Sequence, residues 1–127
     1  MAFWNKKTTE DVLLKSLAKD NITIEKENDS YSFAVSFGDY TLYPYFNFDG
    51  KTLSLMINLR KCDAKTGYDI FVKINDFNTI SPYFVAKIKN NLVYLEYNAV
   101  ADNDTVVEVF KNSIGSLNNL KAEIDSL

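Results

Sequence analysis

Apolar residues in TTEDVLLKSLAKDN recur at helical spacing, with Leu13, Leu14, Leu17 and Ala18 on one stripe. Thr8 stands where an N-cap is needed, and Glu10 and Asp11 complement the helix dipole, so the pattern predicts a helix over residues 9–19. The period then falls to two. Tyr31, Phe33, Val35 and Phe37 alternate with Ser32, Ala34 and Ser36, and Leu53, Leu55, Ile57 and Leu59 alternate with Ser54, Met56 and Asn58. Turn chemistry at Asn28-Asp29-Ser30, Gly38-Asp39 and Asp49-Gly50 divides the stretch into a meander of three or four strands.

Helical spacing returns in TGYDIFVKINDFNTI at Ile70, Phe71, Ile74, Phe77 and Asn78, and Pro82 ends it. Asn90-Asn91 marks a hairpin turn between two further strands. In DNDTVVEVFKNSIGSLNNLKAEIDSL, Val106, Phe110, Leu117, Leu120 and Ile124 share one stripe, which predicts a long last helix capped by Asp102 or Asp104 and weakened at Gly115. The order α-β-β-β(-β)-α-β-β-α implies the α+β class, an antiparallel sheet flanked by helices. At 127 residues the chain has the size of one domain. The expected organisation is a tail over residues 1–7 and a single α+β domain over residues 8–127.

Composition narrows the function. A net charge of -3 and a single arginine, Arg60, argue against a phosphate-binding surface, so no nucleic-acid partner is expected. No apolar run approaches the roughly 20 residues of a membrane span. Phe3 and Trp4 precede two lysines, the reverse of a secretion signal, and the one cysteine, Cys62, suits a reducing cytoplasm. The absence of histidine removes the commonest general base and the usual zinc ligand. Cys62 has beside it only Lys61 to lower a thiol pKa. The four glycines stand apart and form no phosphate loop. Asp102 with Asp104 has a spacing suited to a hard cation, but helix capping explains both, and a turn explains Asp49-Gly50. No enzyme, metal or cofactor is expected.

The residues IFVKINDFNTISPYFVAKIKNNLVYLEYNAV, with Asn75 and Asn78 on the second helix, the hairpin over residues 84–97 and acidic caps on the last helix, resemble the YbjN family of proposed bacterial sensory transduction regulators. The resemblance spans roughly residues 8–126. It implies a fold similar to that of type III secretion chaperones, often dimeric, with a regulatory or chaperone-like role. The chain departs from the family in carrying NDFN where members tend to place arginine, and in its aromatic-rich meander.

That meander holds the principal candidate site. YTLYPYFNFDG packs three tyrosines and two phenylalanines around Pro44. Alternation puts Tyr40, Leu42, Pro44, Phe46 and Phe48 on one face, and Tyr43 and Tyr45 on the other beside Met56 and the small face. Tyrosine offers large contact area at low entropic cost, and Pro44 marks an edge or a bulge. Tyr43, Tyr45 and Met56 are therefore the expected partner-binding residues. Asn75 and Asn78, which share one side of a helix, form a second candidate patch or bond to nearby backbone. The expected function is a non-enzymatic protein-interaction module, chaperone-like or regulatory and homodimeric. The alternatives are a carbohydrate- or small-ligand-binding module that stacks sugars on exposed tyrosines and, more remotely, a carboxylate hydrolase.

Overall fold

The computed structural model describes residues 8–62 and 67–127; the expectations for the tail and for Phe3 and Trp4 fall outside them. Helix α1 (Thr9–Lys19) starts as the sequence predicts. Thr8 accepts from the Asp11 N–H, and the Asp11 carboxylate accepts from the Thr8 N–H, a reciprocal cap. Leu13 and Leu17 are buried, Leu14 is half-buried, and Ala18 is exposed rather than part of the stripe.

The expected three or four strands are six: β1 (Glu25–Glu27), β2 (Ser30–Ser32), β3 (Val35–Phe37), β4 (Tyr40–Leu42), β5 (Tyr45–Asp49) and β6 (Thr52–Lys61). Proline explains the subdivision. The pairs Tyr31 with Phe46 and Val35 with Leu42 belong to one continuous register, yet the ladder is interrupted between them. There Phe33 donates its N–H to the Pro44 carbonyl at 3.2 Å, and Pro44 has no N–H to return. One long hairpin thus reads as two short ones. Gly38 and Gly50 turn the chain at φ +67° and +60°, and Asn28 does so at +55°.

Helix α2 (Gly67–Ile80) follows, then β7 (Val85–Lys89) and β8 (Leu92–Val100). Asn90 and Asn91 both take positive φ, 54° and 62°, as a two-residue hairpin turn with strand-compatible twist requires. The main sheet has the order β1-β2-β5-β6-β8-β7 with every neighbouring pair antiparallel, and β3-β4 form a separate two-stranded sheet.

The long final helix is broken into α3 (Val106–Ser116), a 3-10 turn (Leu117–Leu120) and α4 (Lys121–Ser126). The predicted stripe is nevertheless buried along its length, at Val106, Phe110, Leu117, Leu120 and Ile124. The break follows Gly115 by one residue, where the Ser113 and Ser116 hydroxyls donate back to the carbonyls of Phe110 (2.8 Å) and Ser113 (2.6 Å). Hydroxyls that bond to the preceding turn loosen and bend a helix. Neither expected aspartate caps α3: its N-cap position is Thr105, with no side-chain cap bond. Asp102 instead braces the turn ahead of it, its carboxylate accepting from the N–H groups of Asp104 and Thr105, both at 2.9 Å.

The helices collect on one face of the sheet. Phe110 of α3 lies 5.4 Å, ring to ring, from both Phe33 and Phe46, and Tyr31 stacks on Phe46 at 5.3 Å. Leu53, Leu55 and Ile57 of β6 and Val93 and Leu95 of β8 continue this buried surface. At the far end of the long hairpin, Lys121 of α4 sits 5.3 Å from the Phe37 ring centre and 5.2 Å from that of Tyr40, and it pairs with Asp125 at 2.7 Å. Tyr40 donates to Asp125 as well and remains 41% exposed, so it is not the core residue that alternation predicts.

Truncation of Phe110 to alanine is expected to cost about 3–5 kcal/mol, because it leaves a cavity between two sheet rings and the helix layer. Urea unfolding of the variant checks this.

Candidate functional site

The opposite face of the sheet carries no helix among the described residues. Cross-strand register places Glu25, Ser32, Tyr45, Met56, Glu96 and Val85 in one row that crosses all six strands of the main sheet. Asn58, Tyr94 and Lys87 form the next row on the same face. Strict alternation produces this arrangement, because each of these residues has a neighbour in sequence that points into the core. Ser32, Tyr45, Met56, Tyr94 and Glu96 are half-buried by one another, none fully.

Tyr45 and Met56 meet directly, with the phenol hydroxyl 3.5 Å from the thioether sulfur. Sulfur is a weak acceptor, so the hydroxyl stays available to a stronger one. A groove of about 540 Å³ runs past Tyr45, Met56 and Tyr94, with Lys61, Lys89 and Glu96 around it. Tyr43 is apart from this pair: it is 67% exposed and borders a shallow recess with Thr23, Ser32 and Ala34. The structure therefore brings together two of the three sequence-predicted residues and leaves the third projecting beside them.

Asn78 and Asn75 part company. The Asn78 carboxamide accepts from the Ala86 N–H at 2.7 Å and donates to the Ala86 carbonyl at 3.1 Å. It thus acts as a one-residue strand on the free side of β7, an edge of the sheet, and satisfies groups that invite another chain to pair. Asn75 is exposed, and its carbonyl accepts from the Thr79 hydroxyl at 2.8 Å. They do not form a shared polar pocket.

Two features escaped the sequence reading. Tyr94 and Glu96 extend the Tyr45-Met56 rows, and alternation in LVYLEYNAV carries the signal, since Val93 and Leu95 take the core side. On α2, Ile70 and Phe77 are buried, but Phe71, which the helical stripe includes, is 61% exposed. With Val72, Ile80 and Val85 of the neighbouring strand it leaves apolar surface in solvent.

The electrostatics do not favour acid-base chemistry. Three described carboxylates have shifted pKa values, and all lie below the usual range, the reverse of a general acid. Lys87 lowers Glu96 by a hydrogen bond, with Asn98 adding; the Thr105 hydroxyl lowers Asp102, with the N–H groups of Asp104 and Thr105 adding. Lys121 and then Tyr40 lower Asp125, while burial and then the bond to Asp125 push Tyr40 up to about 12. No cluster of three potential metal-binding His, Cys, Asp or Glu side chains occurs among the described residues. Cys62 is a half-buried free thiol whose N–H donates to the Asn91 carbonyl at 2.7 Å. No described helix is long and apolar enough to cross a membrane.

No protein-family model and no curated protein matches the chain. Among solved structures, YbjN from E. coli, a provisionally assigned transcription regulator, superposes with a TM-score of 0.69 over 92% of this chain and 91% of its own, at 8% identity. The Yersinia pestis type III secretion chaperone SycH, solved with a stable fragment of YscM2, gives a TM-score of 0.61 over 92% of this chain and 99% of its own, at 17% identity. The chain has their fold. The resemblance read from the sequence is confirmed at that level, as is the α+β antiparallel architecture.

Replacement of Asn78 by alanine is expected to cost about 1–2 kcal/mol, the worth of two hydrogen bonds, and to speed hydrogen exchange at the Ala86 amide; denaturation and NMR exchange measure these. Glu96 titrates lower in the folded chain than in the unfolded one. Its contribution is therefore present above the ordinary glutamate pKa and lost as the pH falls through the folded value. Carboxyl NMR is expected to show its midpoint rise when Lys87 becomes methionine.

Proposed function

We propose that this chain is a non-enzymatic protein-interaction module, chaperone-like or regulatory, acting in the cytoplasm as a homodimer. The observation that carries this reading is the uncovered sheet face, where Tyr45 and Met56 meet beside Tyr94 and Tyr43 projects 67% exposed. Exposed aromatic and methionine side chains on a stiff sheet suit protein contact, since they contribute apolar area and lose little entropy on binding. The fold shared with SycH, a chaperone solved with a protein fragment, supports the same reading. The acidic net charge disfavours nucleic acid.

Light scattering of the full chain tests the proposal. The wild type is expected at twice the chain mass, and the Tyr43→Ser, Tyr45→Ser double variant at the chain mass with unchanged circular dichroism. A wild-type monomer contradicts the homodimer. A dimer that survives the tyrosine changes but is broken by Phe71→Ser with Ile80→Ser contradicts the placement on the sheet. A monomer whose melting temperature rises with added glycans favours the sugar-binding alternative, because a ligand specific to the folded state stabilises it.

A further inference from the structure

Beside the outer face, the sheet opens. β5 pairs with β6 from Asp49–Thr52 to Tyr45–Met56, and there the ladder stops, although β6 continues to Lys61. The β5 strand continues back through β4, which pairs along its other edge with β3. Just beyond the end of the β5 ladder, the register between β6 and β8 slips between Asn58 and Arg60, which makes Leu59 the extra residue of a bulge. A bulge bends its strand and increases its twist, so β6 turns from β4 and a cleft opens.

The cleft has a volume of about 550 Å³, within the roughly 300–1,000 Å³ of ligand sites. Leu42, Leu59, Ile124 and Leu127 supply its apolar lining, and Tyr43 and Arg60 are also at its wall. Hydrogen bonding alternates along an antiparallel pair. The Ala101 N–H donates to the Lys51 carbonyl, which turns the odd-numbered residues of β6 before the bulge toward β8. Asn58, beyond the last β5 pair, therefore directs its backbone groups toward the cleft. Asn58 also lines the outer-face groove, so the two depressions adjoin. The adjoining walls carry Arg60, Lys61 and Lys89, while the two acidic groups there, Asp125 and Glu96, are already paired with Lys121 and Lys87.

We infer that the cleft between β4 and β6 receives an extended segment of a protein partner in which apolar and acidic residues alternate. Its backbone pairs with β6 at Asn58, its apolar side chains enter the Leu42-Leu59-Ile124 lining, and its carboxylates face Arg60 and Lys61. The inference rests on the reading of the chain as a protein-binding module and names the chemistry of what it binds.

The test uses the full chain and a fluorescein-labelled peptide of alternating glutamate and valine, seven residues long, followed by anisotropy. A peptide of alternating lysine and valine is the control. The expected result is saturable binding of the acidic peptide only, weakened at least tenfold by Arg60→Glu with Lys61→Glu, with slower hydrogen exchange at the Asn58 amide. Absent binding, equal binding of both peptides, indifference to the charge reversal or protection elsewhere overturns the inference. Protection of Asn58 by concentration alone, with a doubled mass, overturns it in favour of a second copy as occupant. If the peptide fails while the Tyr43, Tyr45 variant still loses its dimer, only the cleft proposal falls.

Discussion

Phe110 reaches from α3 into the angle between Phe33 and Phe46, and the rest of the arrangement depends on that contact. It sets which face of the meander is core, because one fixed inward ring fixes the alternation of every neighbour in its strand. β6 and β8 follow through the ladder, and their inward Leu, Ile and Val side chains complete the buried surface. The helices then lie on one side. The other side retains Tyr45, Met56 and Tyr94, half-buried only by each other.

The fold treats its strand edges unequally. At β7 the Asn78 carboxamide satisfies the Ala86 backbone, so that position is closed to another strand. At the end of β6 the reverse holds, since the β5 ladder stops at Met56, beside the bulge at Leu59, before the strand ends. The Lys121-Asp125-Tyr40 cluster ties the diverging hairpin to α4, which keeps the cleft walls in place. The fold thus presents an aromatic sheet face and, beside it, a cleft with an apolar lining and Arg60 at its wall.

Most of the architecture was legible because it rests on local periodicity. The reciprocal Thr8 cap, the Asn90-Asn91 turn and the core alternation of β6 each follow from a few adjacent residues. What was not legible depends on contacts distant in sequence. The break of the long hairpin required knowing that Pro44 sits opposite Phe33, and the break of the last helix depended on serine hydroxyls bonding backward rather than on Gly115 itself. Tyr40 keeps its expected face, opposite buried Phe37, but stays at the rim of the core, where Asp125, far along the chain, offers its hydroxyl an acceptor. For the candidate site, the pairing of Tyr45 with Met56 is a register contact that alternation narrows down but does not establish. Asn78 was legible as a backbone partner in kind, though its target, an edge strand, was not.

The central claim is that the uncovered sheet face is a protein contact surface. Hydroxyl-radical footprinting of the full chain across a concentration series tests it directly, because it reports side-chain exposure residue by residue. The account predicts that oxidation of Tyr43, Tyr45, Met56 and Tyr94 slows as the chain assembles, while Phe71 is unaffected. Protection confined to Phe71 and the α2 surface, with the tyrosines oxidised at an unchanged rate, would contradict it.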